Sequence, residues 1–289
     1  MNTPGVNQLS SAAQVPAGKD APLEKQERLF TVLRGIDSLL VAFSGGADSA
    51  YLAWAAHHTL GERSLAITAL SASFSLHDRE QAEAFVRAFG VRHEWIETRE
   101  FDNPLYVANG ADRCYHCKDE LFDRMESIAA QRHFRAIAYG INADDTHDFR
   151  PGHRAAHEHR VLTPLLDAAL CKDEIRWLSH RAGLPTWDRP ASACLSSRIP
   201  YGTPVTPEIL SRVEGAEAVL RALGFHQFRV RAHGQLARIE LAAEELSRGF
   251  EAEVAKEISA RLKALGFAFV TLDLEGYRQG SLNSILNNK

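Results

Sequence analysis

The stretch Ser38-Leu39-Leu40-Val41-Ala42-Phe43-Ser44-Gly45-Gly46-Ala47-Asp48-Ser49 decides how the first half of the chain is read. Its first six residues form a mostly apolar run of strand length. Ser44 to Ser49 make a Gly-rich turn, and a helical stretch from about Asp48 to Thr59 follows. Glycines admit positive φ, so consecutive N–H groups can converge on one anion. A helix starting there adds the positive end of its dipole. Ser44 and Ser49 supply hydroxyl donors. Asp48 would repel a phosphate unless it holds a Mg²⁺ ion that bridges phosphates. The Gly-Lys-Ser ending of a Walker loop is absent.

Upstream of this stretch, Leu29, Phe30 and Leu33 share one helical face, and Gly35 is a plausible stop. Downstream, Ser64 to Leu70 reads as a second buried strand. A helix from Asp78 to Phe89 ends at Gly90, and short strands follow at His93 to Ile96 and Ala136 to Tyr139. Apolar strands alternating with helices predict a doubly wound α/β domain over residues 23–190, a parallel sheet covered on both faces. Pro185, Pro190, Pro200, Pro204 and Pro207, with Gly202 among them, mark a linker or active-site loop centred on 191–206. Beyond it the pattern predicts a smaller C-terminal α+β domain over 207–289. Its parts are a helix (Pro207 to Leu223), two strands (Phe228 to Arg231, Ala237 to Leu241), a helix (Glu251 to Leu265) and a strand (Phe269 to Leu274).

Composition narrows the function classes. Lys plus Arg is 33 and Asp plus Glu is 37, a net charge of −4. Nucleic-acid binders usually carry a basic excess, so nucleic acid is not the expected partner. No apolar run approaches the ~20 residues that cross a bilayer. Met1 to Pro22, rich in Ser, Ala, Pro, Gly and Asn, reads as a disordered tail without a secretory pattern. Cys114, Cys117, Cys171 and Cys194 are therefore expected as thiols or ligands in a reducing cytoplasm.

Ser44-Gly45-Gly46-Ala47-Asp48-Ser49 resembles the SGGxDS loop of the PP-loop ATP pyrophosphatases, whose domain is adenine nucleotide alpha hydrolase-like. That family cleaves ATP between its α and β phosphates and transfers AMP to an acceptor. The resemblance implies that Ser44, Gly45, Gly46, Asp48 and Ser49 hold ATP with Mg²⁺ on Asp48. Ser71 and Ser73 end the second strand, where related enzymes meet adenine and ribose; a plain capping turn explains these two serines equally well.

Further motifs choose among the family's branches. They are Gly140-Ile141-Asn142-Ala143-Asp144-Asp145, Asp148-Phe149-Arg150-Pro151-Gly152, Pro164-Leu165, Lys172-Asp173-Glu174-Ile175-Arg176, Pro185-Thr186-Trp187-Asp188, and Pro190-Ala191-Ser192-Ala193-Cys194-Leu195-Ser196-Ser197-Arg198-Ile199-Pro200-Tyr201-Gly202. With Gly276-Tyr277-Arg278-Gln279-Gly280-Ser281 near the end, they are similar to the LarE family over nearly all of residues 25 to 285. That family thiolates a pyridinium dicarboxylate mononucleotide during assembly of the nickel-pincer cofactor of lactate racemase. The resemblance implies that a substrate carboxylate attacks the α phosphate, pyrophosphate leaves, and sulfur then displaces AMP. It implies ATP contacts for Gly140, Asn142 and Asp144, a substrate-phosphate grip for Arg229 and Arg231, and a homo-oligomer, a hexamer in relatives. Arg229 and Arg231 alternate on one strand and so share a face, although solvated surface arginines fit that spacing as well. Glu217 and Glu240 are weaker candidates for a metal there.

Cys194 aligns with the sulfur-donating cysteine of the family, which in the simplest members becomes dehydroalanine. Ser192, Ser196, Ser197 and Arg198 give it a polar, cationic setting that favours thiolate, and Arg198 joins it as a catalytic candidate. Cys114-Tyr115-His116-Cys117 is a lone CxxC, too few ligands for tetrahedral zinc. With Cys194 it makes three thiols, the number that holds a [4Fe–4S] cluster with one open iron in three-cysteine thiolating enzymes. A persulfide or a purely sacrificial Cys194 also fits. Cys171 reads as core or bystander within a helix, and His57, His58, His153, His157 and His159 as surface histidines without carboxylates in metal-ligand spacing. Two other enzyme classes remain open: a tRNA-thiolating enzyme, which wants a basic face, and an amidating synthetase, which has no use for Cys194. A non-catalytic nucleotide-binding module leaves the cysteine block unexplained.

Overall fold

The structure, a computed structural model, describes residues 22–147, 151–190 and 193–278. The tail before Pro22, Asp148 to Arg150, Ala191, Ser192 and Gln279 to Ser281 lie outside the described residues. The first half runs α1 (Pro22–Arg34), β1 (Leu39–Ala42), α2 (Ala47–Leu60), β2 (Ser64–Leu70), α3 (Leu76–Phe89), β3 (His93–Glu97), α4 (Pro104–Val107), α5 (Arg113–Arg132) and β4 (Ala136–Tyr139). It continues through α6 (Pro151–Glu158), α7 (Pro164–Asp167) and α8 (Lys172–Arg181). The remainder holds α9 (Pro207–Ala222), β5 (Phe228–His233), β6 (Leu236–Leu241), α10 (Leu246–Gly249), α11 (Ala252–Ala264) and β7 (Phe269–Leu272).

Strands β3-β2-β1-β4 form one parallel sheet in that order. Alternate residues of a strand face opposite sides, and here both sides are apolar. Leu39, Val41, Ala66 and Ala138 pack against α1, α2, α3 and α8 through Leu33, Tyr51, Phe85 and Leu178. Leu40, Ile67, Ile137 and Tyr139 face the other way, onto Phe122 and Met125 of α5 and Ala155 of α6. The α/β reading therefore holds, with helices on both faces. The order also fixes where a ligand enters. The chain moves from β1 outward to β2 and β3, then returns to place β4 on the other side of β1. The crevice beyond the carboxyl ends of β1 and β4 is thus the switch point at which such sheets bind ligands.

The second sheet, β5-β6-β7, is mixed: β5 and β6 are antiparallel, β6 and β7 parallel. Its core joins Val230, Ile239, Val213 and Leu262. Thr206 caps α9 by accepting from Ile209 N, with Pro207 at the first helical position, where a missing N–H costs nothing. Leu195, which opens a short 3₁₀ turn at Leu195–Arg198, and Ile199, which follows it, sink into this same core beside Tyr106. The cysteine-bearing loop thus packs on the second core while reaching the first sheet.

Two readings of the sequence need correction in detail. Pro22 opens α1 instead of closing the tail. Cys171 is the N-cap of α8, one residue outside the helix proper.

Candidate functional site

The phosphate-type loop has the shape its residues predict. Gly45 sits at φ 74°, and Gly46 is the N-cap of α2 and brings no side chain to cap its first turn. Those first-turn N–H groups lack intrahelical partners by construction, so they are available to an anion. Ser49 Oγ donates to Gly46 O at 3.1 Å and accepts from Ser44 N at 3.2 Å, and the Ser44 and Ser49 hydroxyls meet at 3.1 Å. The two serines thus brace the loop as well as offering donors to it. Arg189, distant in sequence, donates to Gly45 O at 2.8 Å and pairs with Asp78. Carbonyl and N–H point opposite ways across a trans peptide, so this grip turns Gly46 N–H away from Arg189.

Asp48 and Asn142 face each other across the β1–β4 crevice. Asn142 Nδ2 donates to Asp48 Oδ2 at 3.1 Å. The other oxygen, Asp48 Oδ1, is buried without a hydrogen-bond partner. Burial pushes the Asp48 carboxyl above its ordinary range, with Lys172 pulling the other way and Asp145 adding to the rise. A buried orphan carboxylate oxygen beside a phosphate loop fits a hard, oxygen-seeking cation such as Mg²⁺. Gly140 plays a steric part: a Cβ there would stand 2.9 Å from Ser49 N. Only glycine lets the end of β4 approach α2 so closely. Asp144 accepts from Lys172 N at 2.8 Å and so caps α8, while Asn142 Oδ1 accepts from Asp144 N at 2.9 Å. Ser71 and Ser73 form a turn, their hydroxyls 2.8 Å apart, and the carbonyl of Ser73 accepts from Leu195 N at 2.9 Å.

That last bond brings the cysteine loop to the end of β2. Cys194 is exposed there, immediately before the 3₁₀ turn. Cys114 and Cys117 stand three residues apart in the first turns of α5. All four cysteines are free thiols. Cys114 and Cys117 both feel Cys194 directly: burial, then the Cys194 charge, raises the Cys114 thiol, and the same two causes push Cys117 up to about 12. Three thiols from two elements are thus near enough for the charge of one to act on the other two. The donor set fits a cluster held by three cysteines.

Arg198 has a partner that its place in the sequence did not show. Its guanidinium is buried against Glu217, Nε to Oε1 at 2.9 Å and Nη2 to Oε2 at 3.1 Å. It also donates to the carbonyls of Ala193 and of Cys194, the latter at 2.9 Å. Glu217 is its first charge partner, its bond to Cys194 O holds the backbone there, and the Cys194 charge acts on it as well. Arg229 and Arg231 do share a face of β5 with Glu240 of β6. Arg231 is buried in a two-bond pair with Glu240 and donates to Ser197 O at 2.9 Å. Arg229 is half-buried beside the Tyr277 ring, 5.1 Å from its centroid. Glu217 and Glu240 are engaged by arginines, which weakens their candidacy as metal ligands.

His159 is a second departure. It sits among Asp119, Asp123 and Glu126, with ring nitrogens 3.0 Å from Asp119 Oδ1 and from Glu126 Oε1. The carboxylates come from α5, so spacing along the chain hid them. Three other residues of the site were not singled out from the sequence. Arg113 donates to Ser196 O at 2.9 Å, Tyr106 shares a 2.8 Å hydroxyl contact with Ser196, and Arg189 grips the phosphate loop. Arg113 directly precedes the CxxC pair, the one signal that could have marked it.

No protein-family model matches the chain. An uncharacterized protein of Synechocystis sp. is 43% identical over 262 residues, spanning 91% of this chain and 98% of the relative. The pyridinium-3,5-bisthiocarboxylic acid mononucleotide synthase of Lactiplantibacillus plantarum is 33% identical over 263 residues, 91% of this chain and 95% of its own length. An uncharacterized protein of Methanocaldococcus jannaschii is 25% identical over 247 residues, 83% and 90% of the two chains. Among the described residues no helix is long and apolar enough to cross a membrane.

Proposed function

The chain belongs to the LarE family, and from that premise we propose that it is an ATP-dependent sulfur transferase of the PP-loop, adenine nucleotide alpha hydrolase-like kind. In this reading it adenylylates a carboxylate of a pyridinium dicarboxylate mononucleotide, releases pyrophosphate and replaces the AMP with sulfur. The observation that carries it is the 2.9 Å hydrogen bond from Leu195 N to Ser73 O. It sets Cys194 at the carboxyl end of the sheet whose neighbouring strand carries the phosphate loop. Sulfur and the acyl phosphate linkage are thereby served by one site.

The residues divide the work. The N–H groups around Gly46 and the start of α2 receive the β and γ phosphates, which leave as pyrophosphate. Asp48 would hold Mg²⁺ through its unpartnered Oδ1, and the ion would neutralise charge on the phosphate oxygens. Arg189 keeps the Gly45–Gly46 peptide turned, and Asn142 keeps Asp48 in place. Arg229 meets the phosphate of the mononucleotide, while Arg231, tied to Glu240, shapes that pocket. Cys114, Cys117 and Cys194 would hold a [4Fe–4S] cluster, whose open iron would supply an exchangeable sulfide. Arg198 and Glu217 lock the peptide at Cys194 so that its thiol keeps one orientation. In this reading the enzyme works in the cytoplasm as a homo-oligomer on a small-molecule substrate.

One observation favours a second reading. Cys194 is exposed whereas burial suppresses ionisation of Cys117; in this reading Cys194 gives up its own sulfur and becomes dehydroalanine. Iron and sulfide analysis of anaerobically purified protein, followed by mass spectrometry after turnover, separates the two. Bound iron and repeated turnover with added sulfide are the expected results. Dehydroalanine at position 194 without iron would overturn the cluster and leave sulfur transfer standing; ADP as the sole nucleotide product would overturn the function itself.

A further inference from the structure

Among the described residues, four other than glycine hold a positive φ. His133, Arg160 and Ala169 do so at exposed positions. Asn109, between α4 and α5, does so at φ 56° and 0% exposure. Left-handed backbone disfavours residues with a Cβ, and asparagine is one of the few that tolerate it. A residue kept in that conformation in the interior has to be held there by its surroundings.

Those surroundings are the far end of the cysteine loop. Asn109 Nδ2 donates to Pro200 O at 2.8 Å, to Thr203 O at 2.9 Å and to Ile199 O at 3.3 Å. Its backbone carbonyl accepts from Gly202 N at 3.0 Å, and two residues earlier Val107 O accepts from Val205 N at 2.9 Å. Asn109 Oδ1 accepts from Arg113 Nη1, which also donates to Ser196 O at 2.9 Å. The three carbonyls share the two N–H donors of one amide, and the amide oxygen takes the guanidinium, so each polar atom of the side chain is used. Residues 199–203 lie outside every strand and helix. These bonds stand in for the ladder that would otherwise fix them. From Ser196 to Val205, the chain that follows Cys194 is thereby tied to the junction of α4 with α5.

We propose that Asn109 is a positioning residue for sulfur transfer: its amide clamps the stretch after Cys194 and so sets the direction in which the Cys194 thiol is presented. The step it serves rests on the sulfur-transfer reading above; the clamp itself does not. Two variants divide its properties. Asn109→Gly keeps the positive φ without steric cost, removes the amide and is the milder change for folding. Asn109→Asp keeps the shape and the tolerance of left-handed backbone, but sets an acceptor oxygen against three carbonyls.

The test uses full-length anaerobic protein and two readouts. Amide hydrogen exchange, followed by mass spectrometry without ligands, reads the clamp. In both variants exchange over residues 195–205 should quicken about tenfold or more, while exchange over the phosphate loop stays as in wild type. Product analysis with ATP, the mononucleotide and a sulfur source reads the chemistry. Pyrophosphate release should stay within about twofold of wild type, while thiolated product falls about a hundredfold, the order that a misaimed reacting group costs. Unchanged exchange over residues 195–205 would overturn the clamp. Quickened exchange with thiolation kept, or equal loss of pyrophosphate release and thiolation, would overturn the positioning role; the second result is what a merely structural residue gives. Wild-type protein that never thiolates would sink the sulfur-transfer reading and the step assigned here with it, and the exchange result would still decide the clamp.

Discussion

The phosphate loop and the cysteine loop are held by opposite means. The first is braced mostly from within: Gly45 at φ 74°, and hydroxyl and amide contacts among Ser44, Gly46 and Ser49, five residues apart at most. The second is braced from without. Cys194 to Ser197 are fixed by Ser73 from the turn after β2, Tyr106 from α4, Arg113 from α5, Glu217 from α9 through Arg198, and Arg231 from β5. A loop shaped by its own residues should survive single substitutions elsewhere. A loop shaped by distant partners should fail when any one of them is removed. The chemistry assigned to each suits this: a phosphate loop receives a ligand with its own strong charge, whereas a sulfur donor must be aimed.

The contrast can be broken at several points, the largest effect first. Cys194→Ala should abolish thiolation entirely while leaving AMP and pyrophosphate formation measurable, as read by product mass spectrometry and nucleotide chromatography. Loss of both would mean that the two loops do not act separately. Asp48→Asn should lower adenylylation on the order of 10³-fold, since it removes the oxygen assigned to the metal. Its effect on stability has the opposite sign. The Asp48 carboxyl is raised in the folded state, so without Mg²⁺ its charge opposes folding above that raised value. The penalty fades as pH falls toward the unfolded value of about 3.9. Metal-free Asp48→Asn protein should therefore unfold at higher urea than wild type at neutral pH, with the two converging near pH 4.

Glu217→Gln leaves the Arg198 guanidinium buried and unbalanced, with an expected loss of about 3–5 kcal/mol in chemical denaturation. A loss that small changes at Arg229 cannot match would confirm that the cysteine loop depends on distant partners. Arg229→Ala is the mildest change. It should weaken binding of the phosphorylated substrate by about 1.5–3 kcal/mol, with ATP affinity kept, as read by titration calorimetry. Equal loss for both ligands would point to disruption of the fold.

The same contrast explains what could be read in the sequence. The parallel sheet, its covering helices and the phosphate loop follow from local features: apolar runs at β1, β2 and β4, the Gly-rich turn, and Gly90 ending α3 at φ 64°. The small mixed sheet was legible for the same reason, each strand differing from expectation by one or two residues at its ends. The longest helix, α5, was not read, although Leu121, Phe122 and Met125 mark its buried face. Its polar first turns carry the CxxC pair, which draws attention to ligands and away from periodicity. Long-range pairs were invisible: nothing local joins Arg189 to Gly45, Arg113 to Ser196, or His159 to the acids of α5. Arg198 reads as a cation beside Cys194 because it is four residues away, and only the fold shows that Glu217 pairs with it.

Oxygen tracing tests the central claim most directly. A mononucleotide substrate whose carboxylates carry ¹⁸O is incubated with the enzyme, ATP and a sulfur source, and the AMP released is weighed. If a substrate carboxylate attacks the α phosphate and sulfur later displaces AMP, each AMP should carry one ¹⁸O for every sulfur gained by the substrate. Unlabelled AMP accompanying thiolated product would contradict adenylylation of the carboxylate.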